Sequence, residues 1–213
     1  MTTVPLVPAT CAHRPTIGGL VRPWINIELA DGGLDFRGQH RGRAEKAITH
    51  KLCQVCGTGL RRPIVLLGLA EHMRRLMFAE PPLHPECAAY TSHACPMVAG
   101  RMSHHPARPT LAEGPRGARC PDEGCDCGGY VNHQPSERTE DRPAEAWYAV
   151  YVAAYTAMRD QNGTLLVLTT PAAVLRVRLV SEPGKGRIWV PVNDALKNYH
   201  APTFHTINPG GGR

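Results

Sequence analysis

Two short pairs of thiol and imidazole residues, Cys53-x-x-Cys56 and His84-x-x-Cys87, constrain this chain more than any other feature of its sequence. A tight Cys-x-x-Cys turn points two thiolates at one centre, and a second pair with the same spacing closes a four-donor site. That is the donor set of a tetrahedral zinc ion, and the role it predicts is structural. His50 competes with His84 for the fourth position. Cys11 and His13, set among prolines in an extended N-terminal arm, are further candidate donors, against a plainer reading as a buried thiol beside a solvated imidazole.

A second group of donors lies downstream. Cys120, Cys125 and Cys127 fall within eight residues, inside a stretch from Gly100 to Arg142 that is rich in Pro, Gly, Arg and His and poor in aliphatic side chains. A loop with so little apolar surface needs a staple to stay ordered. Cys95 or His133 would complete a second zinc site, so one or two zinc ions are expected. An iron–sulfur cluster on the same thiols is the alternative, although the Cys-x4-Cys-x-Cys spacing is not a familiar cluster pattern.

Composition decides which cysteine chemistry to expect. Eight cysteines in 213 residues would suit four disulfides in a secreted protein, but the first residues lack a basic stretch followed by an apolar run. The expected location is therefore the cytoplasm, where thiols stay reduced and clustered Cys and His favour metal. No apolar run approaches the roughly 18 residues of a membrane span.

The net charge is +6, and the segment from Arg14 to Arg75 carries 11 Lys/Arg against 5 Asp/Glu, which accounts for all of it. Arg37, Arg41, Arg43, Lys46, Lys51, Arg61 and Arg62 form a candidate nucleic-acid-binding face, because phosphate contacts by such residues release condensed counterions. A solvated basic surface is the plainer reading, since only Phe36 lies nearby to stack on a base.

The remaining pattern predicts an α+β fold, with a zinc-stabilised module, a small antiparallel sheet and irregular Pro/Gly-rich loops. Residues 1–105 are expected to form the zinc-nucleated module with an N-terminal hairpin around Asp31-Gly-Gly33. Residues 106–145 form a Cys-rich, metal-stapled loop and linker. Residues 146–205 supply antiparallel strands and a closing helix, packed with the first part as one unit. Alternation from Ala146 to Met158 predicts one long strand, with Thr164 to Leu168 as its partner and Leu175 to Val180 as another strand. Helices are expected over Ala70 to Phe78 and from about Pro85.

A Cys pair in a turn, then a strand, then a helix whose first turn gives the remaining ligands, resembles the treble-clef or zinc-ribbon class of zinc fingers. The opening Val4-Pro-Leu-Val-Pro-Ala-Thr-Cys-Ala-His-Arg-Pro-Thr-Ile-Gly-Gly-Leu-Val, with Cys-Gln-Val-Cys-Gly, Leu-His-Pro-Glu-Cys-Ala-Ala-Tyr and the Cys-Asp-Cys loop, resembles a group of uncharacterised Cys-rich proteins of high-GC Gram-positive bacteria and phages. That resemblance implies the cysteine framework and no activity.

No Gly-x-Ser-x-Gly elbow, dinucleotide fingerprint or His-Glu-x-x-His helix is present. His84-Pro-Glu86 matches the first element of a zinc deaminase, but its Cys pair precedes it and no Pro-Cys-x-x-Cys follows. The expected function is a zinc-binding accessory protein, nucleic-acid-binding or regulatory, and more plausibly not an enzyme. The alternatives are a protein-interaction or assembly factor and, further off, a zinc-dependent hydrolase with an open metal position.

Overall fold

The computed structural model describes residues 5–28, 34–104, 143–161, 163–181 and 187–202. In chain order the strands and helices are β1 (Thr16–Ile17), β2 (Leu20–Val21), β3 (Asn26–Glu28), β4 (Leu34–Gln39), α1 (Arg41–Thr49), β5 (Ile64–Leu69), α2 (Ala70–Arg75), β6 (Met77–Phe78), α3 (Pro85–Ala94), β7 (Trp147–Val152), β8 (Thr156–Arg159), β9 (Leu165–Leu168), β10 (Val174–Ser181), β11 (Ile188–Val190) and α4 (Val192–Leu196). The fold is mixed α and β with small antiparallel sheets, as the sequence pattern predicts.

Everything is arranged on a four-stranded antiparallel sheet of order β11-β10-β7-β5. Its β5 edge is not left open. The N–H and C=O of Val65 both bond to Leu83, each at 2.9 Å, so the segment before α3 covers the ladder that a neighbouring chain would otherwise extend. All six β5 residues are buried, which is why this strand reads as a continuous apolar run rather than an alternation.

Alternation along the strands divides the core in two. Val65, Leu67, Ala149, Tyr151 and Val180 face one side, where they pack with Cys11, Val21, Cys53, Val55, Cys56, Leu83, Cys87 and Tyr90. Ile64, Leu66, Val150, Val152, Val174 and Val177 face the other, where they meet Ile48, Met73, Leu76, Phe78, Tyr155 and Val167. The second side is closed by a three-stranded sheet of order β6-β9-β8. Gly68 makes room there, since a Cβ on it would fall 2.7 Å from the Phe78 ring.

Three elements differ from the sequence expectation. The single strand from Ala146 to Met158 is two strands in different sheets, because the chain leaves the central sheet after Val152. Tyr155 turns inward at this crossing and donates its hydroxyl hydrogen to the Ile48 carbonyl at 2.8 Å. The helix from Ala70 ends at Arg75, where Leu76 adopts left-handed φ of 49° and sends Met77 and Phe78 into pairing with β9. The N-terminal hairpin is two ribbons, β1–β2 and β3–β4, with Pro23 between them.

Candidate metal centre

The first ligand pair sits in a turn built by its own backbone. Gly57 N–H bonds to the Cys53 carbonyl at 2.8 Å, Cys53 N–H bonds to the Thr58 carbonyl at 2.9 Å, and Leu52 bridges Gly59. Gly57 holds φ at 78° with the Trp24 ring against it, and a Cβ there would lie 2.7 Å from Trp24 Cγ. Both the positive φ and the close approach require glycine.

Gln54 fixes this turn to the second pair. Its N–H bonds to the Pro82 carbonyl at 3.0 Å and its Nε2 donates to the Pro81 carbonyl at 2.8 Å. Two residues on, His84 is the N-cap residue of α3, Pro85 takes the first helical position, and Cys87 lies in the first turn. Proline suits that position because its missing N–H would have no helical partner.

The donor atoms of Cys53, Cys56, His84 and Cys87 all lie within 4.8 Å of one another. The exposures are 0%, 1%, 5% and 0% respectively, so the set is closed by protein on every side. His84 is oriented from its far side. Its Nε2 bonds to the Gly59 carbonyl at 3.0 Å, and a carbonyl only accepts, so Nε2 carries a proton and Nδ1 is the nitrogen turned to the sulfurs. Nδ1 faces Cys56 Sγ at 3.4 Å. Orientation of a ligating imidazole through its other nitrogen is the usual outer contact of a metal site.

Two hydroxyls add to this outer layer. Thr58 Oγ1 lies 3.1 Å from Cys56 Sγ and Thr10 Oγ1 lies 3.5 Å from Cys87 Sγ. Hydrogen bonds from Cys53 and then Cys87 hold the Cys56 thiol far below its ordinary range. Cys53 is pushed up to about 11, first by its bond to Cys56. Cys87 is pushed up, first by Cys11 and then by Cys53 and Cys56. The sulfurs thus sit close enough for each to alter its neighbours' protonation.

Cys11 is a fifth thiol at the edge of this set, fully buried, with Sγ 3.7 Å from Cys87 Sγ. The N-terminal arm that carries it closes over the site. His13 Nε2 bonds to the Cys56 carbonyl at 2.9 Å, Val21 N–H donates to the Tyr90 hydroxyl at 2.8 Å, and Trp24 and Ile25 N–H groups bond to the Val55 and Gln54 carbonyls. His13 therefore contributes a hydrogen bond here, its ring being otherwise exposed. Thr10, Thr58 and the Gly59 carbonyl carry no sequence signal, because their roles depend on where the chain folds back.

The other candidates are placed as follows. His50 is exposed and bonds to Thr49 Oγ1, outside the four-donor group. Cys95 caps the C-terminal end of α3, eight residues and roughly 12 Å along the axis from Cys87. Cys120, Cys125, Cys127 and His133 lie outside the described residues. Among the described residues no second group of metal-ligating side chains comes together.

Of the basic residues, Lys46, Lys51, Arg61 and Arg62 are exposed. Arg43 is 7% exposed and spends a guanidinium nitrogen on the Trp24 carbonyl at 3.2 Å, which makes it part of the scaffold around the Cys-x-x-Cys turn. Arg37 and Arg41 belong to β4 and α1. No helix among the described residues is long and apolar enough to cross a membrane. No protein-family model, curated protein or solved structure matches this chain.

Proposed function

We propose that Cys53, Cys56, His84 and Cys87 hold one structural zinc ion, and that the protein works by binding rather than by catalysis, with nucleic acid as its partner class. The observation that carries the first part is the closed set of three buried thiols and one buried imidazole. Thiolate-rich tetrahedral sets select zinc among the common divalent ions, and closed sites of this kind serve folding. Hydrolytic zinc keeps one position for water, and four buried protein donors fill all four positions here. The order of turn, strand and helix supports a treble-clef-like reading, with the difference that β5 belongs to the central sheet.

Nucleic acid is favoured by the charge. The excess of basic residues between Arg14 and Arg75 includes exposed Lys46, Lys51, Arg61 and Arg62. The resemblance to Cys-rich proteins of high-GC Gram-positive bacteria and phages, and a second ion on Cys120, Cys125 and Cys127 with Cys95 or His133, belong to the same proposal.

Native mass spectrometry with elemental analysis of protein purified without added metal tests the centre. The expected result is at least one zinc ion per chain, one fewer in Cys53→Ala and the wild-type number in Cys11→Ser. A metal-free, fully folded wild-type chain would overturn it. For the partner, affinity for oligonucleotides should fall steeply with salt, and absence of binding at low salt would remove nucleic acid from the reading.

A further inference from the structure

On the side of the central sheet that carries the metal centre, α3 packs on β5, and among the described residues Arg176 and Trp189 stay exposed at the β10–β11 end. Arg176 and Arg178 project there from alternate positions of β10, opposite Tyr151 and Ala149 of β7, and Arg178 pairs with Trp189 of β11. Both guanidinium groups lie over the Trp189 ring, at 4.9 and 5.4 Å from its centroid, and Arg176 also lies 4.4 Å from the Tyr151 centroid. Trp189 is nevertheless 52% exposed.

The end of α3 adds two more cations. Arg187 reaches the Ser92 carbonyl at 2.8 Å and the His93 ring, and Arg101 reaches the His93 and Ala94 carbonyls at 2.8 and 3.2 Å. These bonds fix the guanidinium groups without cancelling their charge. Among the described residues no carboxylate pairs with Arg101, Arg176, Arg178 or Arg187. Arg178 Nε is buried with no hydrogen-bond partner. After burial, mutual repulsion with Arg178 and Arg101 depresses the Arg187 pKa, so the cluster is close enough for its charges to be felt.

Two guanidinium groups over an exposed indole, with two more at the neighbouring end of α3 and no carboxylate paired with any of them among the described residues, form a surface of unbalanced positive charge. The chemistry that completes it supplies both anions and flat π-faces. We infer that this β10–β11 face is a binding site for single-stranded nucleic acid, with a base stacked on Trp189 and phosphates on Arg101, Arg176, Arg178 and Arg187. Arg176 and Arg178 stand about 7 Å apart along the strand, a spacing comparable with the step between successive phosphates of an extended single strand. Planar guanidinium and aromatic groups suit unpaired bases, whose faces a duplex hides. This rests on nucleic acid being the partner class and names the surface that meets it.

The test is fluorescence anisotropy of labelled oligothymidylate with the full, zinc-loaded chain, read beside the tryptophan emission. Wild type should bind with quenching. Trp189→Ala should weaken binding about ten-fold and remove most of the quench. Arg176→Gln with Arg178→Gln should lower the salt dependence by about two phosphate contacts. Each variant is first checked for wild-type zinc content and urea midpoint, and Trp189→Phe should restore most of the affinity. Loss of binding on neutralising Lys46, Lys51, Arg61 and Arg62, with Trp189→Ala unchanged, would keep nucleic acid as the partner and overturn this surface. Equal affinity for polyglutamate, indifferent to Trp189→Ala, would also overturn it. No binding of wild type to any oligonucleotide at low salt would overturn the partner class itself.

Discussion

The two sides of the central sheet are closed by different means. On one side Leu66, Phe78, Val150, Val152, Val167 and Val177 make an aliphatic and aromatic core with each of these side chains completely buried. On the other, Cys11, Cys53, Cys56 and Cys87 stand where large apolar side chains would otherwise stand, supported by Tyr90 and by backbone bonds from the N-terminal arm. The difference follows from what each chain segment brings. Strands β5, β7, β9 and β10 bury enough apolar area to drive their own packing. The segments around the Cys-x-x-Cys turn are short, irregular and poor in aliphatic residues, so cross-linking through the sulfurs takes the place of area.

The strongest way to break this contrast is Cys87→Ala. It removes one donor and the sulfur that Cys11 and Thr10 approach, and the metal-binding free energy lost is on the order of 10 kcal/mol. Amide hydrogen exchange should lose protection from Cys53 to Gly59 and through α3, while β7, β9 and β10 stay protected. Uniform loss across the chain would mean that the two sides fold as one cooperative unit.

Phe78→Ala probes the opposite side. Removing a fully buried ring that fills the space above Gly68 should cost about 3–5 kcal/mol in urea unfolding. Zinc content of the folded variant should be unchanged. A variant that loses zinc would show that the metal centre depends on the apolar core.

The smallest expected effect sharpens the boundary where the chain crosses between sheets. Burial pushes Tyr155 up to about 12. An unfolded tyrosine ionises near 10, so the folded state should lose about 2 kcal/mol as pH rises from 10 through 12, with no loss from this group below 10. Tyr155→Phe should cost about 1 kcal/mol at neutral pH, for the bond to the Ile48 carbonyl, and should flatten the alkaline fall. An alkaline profile unchanged by the substitution would assign the loss to other groups.

Much of the candidate centre was legible before folding was considered. Cys53, Cys56, His84 and Cys87 carry a spacing that only a turn and a helix start explain, and Pro85 marks that start. The spacing favoured His84 and left His50 as a competitor, but the seating of His84 was not legible. It rests on Gln54 binding Pro81 and Pro82, which brings residue 84 to the turn, and on the Gly59 carbonyl, which turns the ring. The strand from Ala146 to Met158 shows the converse. Its alternation is continuous, and no local residue announces that Tyr155 will leave one sheet for another.

By itself, then, the sequence determined the elements with strong local chemistry: the Cys-x-x-Cys turn with its glycine, the proline-led helix and the apolar strands. These depend on side-chain spacing and on backbone preferences that each residue carries wherever it is placed. Only the tertiary structure decided which side of the sheet each strand shows, that Cys11 returns to Cys87 across 76 residues, that Arg176 and Arg178 lie over Trp189, and that Arg101 and Arg187 meet at the end of α3. Those outcomes depend on strand register and on how buried donors are satisfied at long range, and neither is written in any local stretch of chain.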